Sequence, residues 1–270
     1  MKSKGLAITA ISVVFLLYIF GLISSGNRIQ NTVPTSAVAS LSNRKIHWGM
    51  RRGTDGAQPD FGSTNRDLIQ QNQGIAVGNP DKPYVYLTFD NGHEEGYTPK
   101  ILDVLKENKV PAAFFITGHY LNSAEDLVRR MLDEGHIVGN HTVNHPSMPD
   151  VDDERLRVEI TKLHSSMFQR FNYEMKFLRP PRGEFSERTL ATTRNLGYTT
   201  VMWSFAYDDW DKNNQGREEY AKKKILDNIH NGAVILLHST SRDNSEILDY
   251  IIREIKARGF EFRHLTEFKP

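Results

Sequence analysis

A carboxylate and a carboxamide follow the first strongly strand-like stretch of the sequence. The residues from Tyr84 to Phe89 are rich in β-branched and aromatic side chains, which predicts a buried strand, and Asp90-Asn91-Gly92 follows at once. Polar residues at the C-terminal end of such a strand are placed to face a cleft and to take part in an active site. The alternative is that they only end the strand in an Asx-type turn.

Two histidines are spaced four residues apart in His141-Thr142-Val143-Asn144-His145. On one turn of a helix both imidazoles would face the same way and could bind one metal ion. The spacing alone is a weak signal, because chance or helix-end packing also produces it. Its position after a predicted strand and a Gly139-Asn140 turn favours a metal site.

Further polar residues follow later predicted strands. Arg179-Pro180-Pro181-Arg182-Gly183 is a stiff loop in which two prolines fix the path and the glycine lets the backbone approach a ligand, although it could also be an ordinary rigid loop. Leu236-Leu237-His238 ends a buried strand in a histidine. With a carboxylate such as Asp209 beside it, His238 could act as a general acid. The other histidines are interpreted as structural or solvated.

Strand-like and helical stretches alternate from Pro83 onward, which predicts an α/β fold with a parallel sheet. The predicted strands are Tyr84–Asp90, Ala112–Ile116, His136–Gly139, Lys176–Arg179, Thr199–Ser204, Ala233–His238 and Glu261–His264. The predicted helices are Pro99–Asn108, Ala124–Glu134, Asp152–Phe171, Ser186–Leu196, Arg217–His230 and Asn244–Arg258.

The polar residues at the strand ends favour a distorted, incomplete (β/α) barrel of about seven strands over an open sheet. In a barrel all the C-terminal strand ends meet at one rim, so these groups would come together. In an open sheet they would be spread along an edge, and only some could meet.

Composition excludes several classes of function. The chain has 270 residues with a formal net charge of +1, so no basic excess suggests a nucleic-acid partner. It has no cysteines, which excludes disulfides and thiolate chemistry.

The N-terminus predicts export. Lys2 and Lys4 precede an apolar run from Leu6 to Ile23, which fits a secretory signal or a membrane anchor over residues 1–26. A small-x-small cleavage site does not follow the run directly, which favours an uncleaved or inefficiently cleaved anchor and an extracytoplasmic body. Residues 27–82 show little periodicity and are interpreted as a linker and N-terminal arm. The catalytic domain is then expected over residues 83–270.

Five stretches together resemble the ordered motifs of the polysaccharide deacetylases, carbohydrate esterase family 4. They are Thr88-Phe89-Asp90-Asn91-Gly92, His141-x-x-x-His145, Arg179-Pro180-Pro181-Arg182-Gly183, Asp209-Trp210 and Leu236-Leu237-His238. The resemblance covers about residues 83–265. Within the family, the Asp-Asn-Gly variant and Ser239–Asn244 are most similar to the delta-lactam-biosynthetic de-N-acetylases of spore-forming bacteria, which act on muramic acid in cortex peptidoglycan.

The resemblance implies metal-assisted hydrolysis of an N-acetyl group, with catalytic residues Asp90, Arg179, Asp209 and His238. Asp90 would be the base that activates water, and Arg179 would hold it in place. His238 would protonate the leaving amine, oriented by Asp209.

The resemblance also implies binding residues. A divalent metal ion, with zinc as the candidate, would be held by His141, His145 and the residue at position 91. The metal and the backbone N–H of Arg182 would stabilise the oxyanion. Residues expected to contact substrate are Arg182, Gly183, Trp210 and Arg242.

One departure from the family pattern affects the metal. The usual motif has a second aspartate where this chain has Asn91, and a neutral amide attracts a divalent cation less than a carboxylate does. Arg182 stands where many members have an aromatic residue, which suggests an anionic substrate. The partner is therefore expected to be a peptidoglycan strand, bound by a monomer.

Two other classes of function remain open. One is a carbohydrate-binding module without metal or catalysis, although binding alone does not need Asp90 and His238. The other is a metal-dependent esterase that acts on another cell-wall polymer.

Overall fold

The computed structural model describes Val38 and residues 40–268. Within that part of the chain, no helix is long and apolar enough to cross a membrane. The predicted membrane segment over residues 1–26 lies outside the described residues.

The strands and helices alternate along the chain after an N-terminal arm. The strands are β1 Ile46–His47, β2 Tyr84–Asn91, β3 Ala112–Ile116, β4 Ile137–Asn140, β5 Phe177–Leu178, β6 Glu184–Phe185, β7 Thr199–Thr200, β8 Ala233–His238 and β9 Glu261–Phe262. The α-helices are α1 Ser63–Gln71, α2 Thr98–Asn108, α3 Gly118–Ser123, α4 Glu125–Asp133, α5 Asp153–Phe171, α6 Glu187–Asn195, α7 Glu218–Asp227 and α8 Arg242–Ala257.

The central sheet is parallel and has seven strands in the order β7-β5-β4-β3-β2-β8, with β9 also paired to β2. The sheet is curled. After β7 at one edge, Phe205 forms a parallel bridge with Ile235 of β8 at the other edge. The predicted α/β fold with a curled parallel sheet is therefore confirmed, and the C-terminal strand ends come together at one rim.

Strand β2 is buried on both faces, as a central parallel strand must be. Val85, Leu87 and Phe89 pack in the large core cluster with the helices, while Tyr86 packs in a second cluster on the other face of the sheet. Because successive side chains on a strand point to opposite faces, Asp90 shares the face of Tyr86. This alternation decides which polar residue at the end of β2 reaches the cleft.

The N-terminal arm contains more structure than the sequence analysis predicted. Helix α1 lies in the stretch interpreted as a linker, and β1 pairs antiparallel with β6. Trp48 donates its backbone N–H to the carbonyl of Gly183 at 2.8 Å and its indole N–H to the carbonyl of Trp203 at 2.9 Å. The arm therefore supports the loop that carries Arg182.

Gly183 has little space around its α-carbon. It has φ +65°, in the left-handed region, and an added Cβ would lie 2.7 Å from the Trp203 ring and 3.1 Å from Trp48 Cβ. A glycine here allows the arm and the loop to pack closely.

We expect Trp48→Ala to lower the free energy of unfolding by about 3–5 kcal/mol, because the indole stacks on Phe61 at 4.8 Å and is only 8% exposed. Urea unfolding followed by circular dichroism measures the loss. Trp210→Ala is the matched control, since Trp210 is 62% exposed and its removal should change stability by about 0.5 kcal/mol or less. Equal small effects of both substitutions would show that the arm contributes little to stability.

Candidate active site

A cleft of about 1010 Å³ opens at the C-terminal ends of the strands. Of the residues predicted from the sequence to form the site, those that line it are Asp90, His141, His145, Arg182, Gly183, Trp210 and His238. The rim therefore brings most of the predicted groups together. Asp90 and His238 are register partners on the neighbouring strands β2 and β8.

Arg179 lies under the cleft and is fully buried. Its Nη1 donates to Asp90 Oδ1 at 2.8 Å, its Nη2 to Thr88 Oγ1 at 2.8 Å, and its Nε to the Val201 carbonyl at 3.1 Å. The guanidinium also lies 4.2 Å from the centroid of the Phe115 ring, which is a cation–π distance. These contacts fix Arg179 beside Asp90.

The environment of Asp90 keeps its carboxylate ionised. Burial alone would raise the pKa of Asp90, but the positive charge of Arg179, with help from His141 and His238, outweighs it and places the pKa below the usual value of 3.8. His141 Nε2 lies 3.4 Å from Asp90 Oδ2.

Asp209 orients His238 in the cleft. Asp209 Oδ1 accepts a hydrogen bond from His238 Nδ1 at 2.8 Å, and Asp209 Oδ2 accepts from the backbone N–H of His238 at 2.7 Å. The other ring nitrogen of His238, Nε2, remains available to a ligand in the cleft. Burial would lower the pKa of His238, but the carboxylate of Asp209 outweighs it and raises the pKa above its usual 6.5.

His141 and His145 face one another, but not on a helical turn. Their Nε2 atoms are 3.1 Å apart, and His141 Nδ1 bonds to the Arg179 carbonyl at 2.8 Å. They lie in a loop in which Thr142 and His145 have φ of 67° and 56°. The prediction that a helix would align the pair was wrong in its geometry, because left-handed residues in a loop do so instead.

Glu159 on α5 holds this loop and was missed in the sequence. Its carboxylate is buried and accepts from the backbone N–H and the side-chain amide of Asn144, both at 2.8 Å. The detectable signal was a glutamate on the apolar face of α5, in line with Leu156 and Leu163.

The two histidines fit a metal ion only in part. Burial lowers the pKa of both, with that of His145 at about 3, so their rings are neutral as metal ligands must be. Their converging Nε2 atoms suit one ion. However, the described residues contain no cluster of three or more histidine, cysteine, aspartate or glutamate side chains arranged to hold one.

Asn91, which the sequence analysis expected as a third ligand, is not among the residues that line the cleft. It is fully buried, and its Oδ1 accepts a hydrogen bond from Ser239 Oγ at 3.0 Å. The cause is the alternation along β2, which turns Asn91 away from the face that Asp90 occupies.

The two predicted substrate arginines differ in position. Arg182 is exposed at the cleft wall, with φ 59°, and its positive charge contributes to the low pKa of His145 after burial and His141. Arg242 does not line the cleft and lies instead near Glu218, at 3.7 Å, and Asp243, at 4.0 Å. The structure therefore does not bring Arg242 to the site.

Comparison with known proteins identifies the family of this chain. A model of the polysaccharide deacetylase family matches residues 77–201. Peptidoglycan-N-acetylmuramic acid deacetylase PdaA of Bacillus subtilis is 41% identical over 229 residues, which are 84% of this chain and 87% of that protein. The chain belongs to the polysaccharide deacetylase family.

Solved structures of this family share the fold. The structure of Bacillus subtilis PdaA, a family 4 carbohydrate esterase, superposes with a TM-score of 0.82 at 41% identity, over 84% of this chain and 98% of that one. A family 4 carbohydrate esterase from Bacillus anthracis superposes with a TM-score of 0.72 at 43% identity, over 85% and 98% of the two chains.

We expect Arg179→Met to lower the free energy of unfolding by about 3–5 kcal/mol at neutral pH, because it leaves the Asp90 carboxylate buried without its partner. Since the folded pKa of Asp90 lies below 3.8, the pair stabilises the fold above that pH and the contribution is lost as the pH falls through the folded pKa. Urea unfolding at pH 7 and at a series of pH values below 3.8 measures the difference.

The matched control is Lys223→Met, which breaks the exposed Lys223–Asp227 pair at 2.6 Å. It should cost about 1 kcal/mol or less. A loss in Arg179→Met as small as the control's would contradict the importance of the buried pair.

Proposed function

We propose that this chain hydrolyses the N-acetyl group of peptidoglycan sugars, with N-acetylmuramic acid as the preferred residue. The observation that carries the proposal is the pairing of Asp90, whose pKa is lowered, with His238, whose pKa is raised, on neighbouring strands at one cleft. Two titratable groups with opposed shifts suit a base and an acid. The relative PdaA of Bacillus subtilis is a peptidoglycan-N-acetylmuramic acid deacetylase, which supports the choice of substrate.

The proposed reaction uses these two groups in turn. Asp90 takes a proton from a water molecule, whose oxygen attacks the acetyl carbon. His238, through Nε2, gives a proton to the sugar nitrogen as the C–N bond breaks, so that acetate and the free amine are released. Arg179 keeps Asp90 ionised and in position, and Asp209 keeps the His238 ring oriented.

The oxyanion that forms on the acetyl group needs a positive or N–H partner. Within the chain, the candidate is the backbone N–H of Arg182, a residue whose own φ lies in the left-handed region. His141 and His145 would hold a divalent ion, with zinc as the candidate, and the bound ion would polarise the acetyl carbonyl.

The cleft suits an anionic glycan. Its volume of about 1010 Å³ exceeds what one sugar ring fills, and Trp210 offers an exposed aromatic face at its wall. Muramic acid carries a lactyl group whose carboxylate is free when the stem peptide is absent. Arg182 can bind such a carboxylate through two parallel N–H donors.

We place the reaction outside the cytoplasm, where peptidoglycan lies. Residues 1–26 would then direct export or anchor the chain in the membrane, residues 27–82 would form the arm, and residues 83–270 the catalytic domain. Deacetylation of muramic acid would also prepare it for delta-lactam formation in the spore cortex.

We expect Asp90→Asn and His238→Ala each to lower the rate of acetate release by roughly two to four orders of magnitude, the scale of losing a positioned acid or base. Acetate released from purified peptidoglycan strands measures the rate, and circular dichroism confirms folding. Near-native activity in either folded variant would refute the assignment. Release from O-acetylated but not from N-acetylated glycans would favour the esterase alternative.

We expect Arg182→Ala to lose roughly 1.5–3 kcal/mol of discrimination in favour of peptide-free muramoyl glycan over chitin oligomers, the scale of one hydrogen bond to a charged group. The kcat/KM values of variant and wild type on the two substrates measure it. Arg242→Ala is the control, since Arg242 lies outside the cleft and should leave discrimination unchanged. If Arg182→Ala lowered kcat/KM equally on both substrates, Arg182 would not be the residue that binds the lactyl carboxylate.

A further inference from the structure

A buried amide lies behind the Asp209–His238 pair. Asn244, in the first turn of α8, is 1% exposed. Its Nδ2 donates to Asp209 Oδ2 at 2.6 Å and, more weakly, to the His238 carbonyl at 3.2 Å. One side chain therefore contacts both the carboxylate and the backbone of the residue that the carboxylate orients.

The direction of this amide is fixed from both sides. The ionised carboxylate of Asp209 only accepts hydrogen bonds, so the atom of Asn244 that faces it must be the Nδ2 donor. On the other side, the Tyr207 hydroxyl donates to Asn244 Oδ1 at 2.6 Å. The backbone N–H of Asn244 donates to Ser241 Oγ at 3.2 Å, which fixes the start of the helix.

The amide also determines which oxygen of Asp209 is available to the imidazole. Oδ2 already accepts two N–H groups, from Asn244 and from the His238 backbone, so the carboxylate cannot rotate without breaking both bonds. Oδ1 is therefore the oxygen that accepts the hydrogen bond from His238 Nδ1. With Nδ1 engaged, the ring is held with Nε2 towards the cleft.

We propose that Asn244 is a positioning residue for catalysis, which sets the orientation of the His238 ring by fixing the carboxylate of Asp209 through a chain that begins at Tyr207. The proposal rests on the proposed function, in which His238 protonates the leaving amine. Asn244 contacts the two residues of the pair and does not line the cleft, so it acts on the rate of the chemical step and not on substrate binding.

The test compares four variants of the full chain. Asn244→Ala removes the donor, and Asn244→Asp places a second carboxylate against Asp209 Oδ2. Tyr207→Phe keeps Asn244 and the aromatic ring at position 207 but removes the hydroxyl that donates to Asn244 Oδ1. Asn108→Ala is the matched control, because Asn108 Nδ2 donates to the carboxylate of Asp249 at 3.0 Å and Asn108 does not line the cleft.

Two readouts are needed. The kcat and KM for acetate release from peptidoglycan strands separate the chemical step from binding. The ring-nitrogen shifts of His238, in protein labelled with 15N-histidine, assigned with His238→Ala and recorded at alkaline pH where the ring is neutral, report the tautomer without any substrate.

We expect kcat to fall about 10- to 100-fold in Asn244→Ala, the factor of one charge-assisted hydrogen bond, and further in Asn244→Asp, with KM within about twofold of wild type. In wild type the His238 ring should be protonated on Nδ1, and both Asn244 variants should shift it towards a mixture of tautomers. Tyr207 lines the cleft, so Tyr207→Phe is judged by the ring shifts, which need no substrate: it should show the same change of tautomer to a smaller degree, and it tests the proposal even where Asn244→Ala does not fold. Asn108→Ala should change neither readout.

Unchanged kcat and unchanged ring shifts in a folded Asn244→Ala or Tyr207→Phe would overturn the proposal. A fall in kcat with unaltered ring shifts would also overturn it, since the effect would then not pass through the imidazole. If wild type released no acetate from any N-acetylated glycan, the proposed function would fail, while the ring shifts would still decide whether Asn244 orients His238.

Discussion

The arrangement of the site depends on the buried ion pair between Arg179 and Asp90. A guanidinium without exposure is costly unless its N–H groups are satisfied, and here they are shared among Asp90, Thr88 and the carbonyl of Val201. The carbonyl of Arg179 in turn receives His141. One residue at the end of β5 therefore joins β2, the chain after β7 and the histidine loop.

Different neighbouring charges act on Asp90 and on His238. Arg179 lowers the pKa of Asp90, while Asp209 raises that of His238. Adjacent parallel strands bring both to one rim, where the positive charge of Arg179 favours the ionised carboxylate of Asp90 and the negative charge of Asp209 favours the protonated ring of His238. The fold supplies the proximity, and the opposed pKa shifts are those expected of the base and the acid in the proposed reaction.

Much of this could be predicted from the sequence, because the relevant signals are local. Strands Ala112–Ile116 and Ala233–His238 have the predicted bounds, and the polar residues that follow the strands meet because parallel strands end at one rim. The failures concern side-chain direction and long-range contacts. Asn91 follows Asp90 directly in the sequence, and both were predicted to face the site. In a strand, however, successive side chains point to opposite faces, so Asn91 does not share the face of Asp90.

The roles of Glu159 and Asn244 appear only in three dimensions. In sequence, Glu159 stands out only as a glutamate on the apolar face of its helix and Asn244 only as a polar residue near the start of one. Tertiary contacts show that Glu159 holds the histidine loop and that Asn244 contacts Asp209. Helix α1 was missed for a related reason. Its sequence is polar, and among its residues Ile69 is the buried one. Its formation depends on packing of the arm, which local periodicity does not report.

The pH dependence of kcat/KM for acetate release tests the central claim most directly. Asp90 must be ionised to accept a proton, and its pKa lies below 3.8, so activity should fall only in strong acid. His238 must be protonated to donate, and its pKa lies above 6.5, so activity should fall on the alkaline side of that value. The account predicts a bell-shaped profile whose alkaline limb disappears in a folded His238→Ala variant. A wild-type profile that rises continuously through the alkaline range would contradict it.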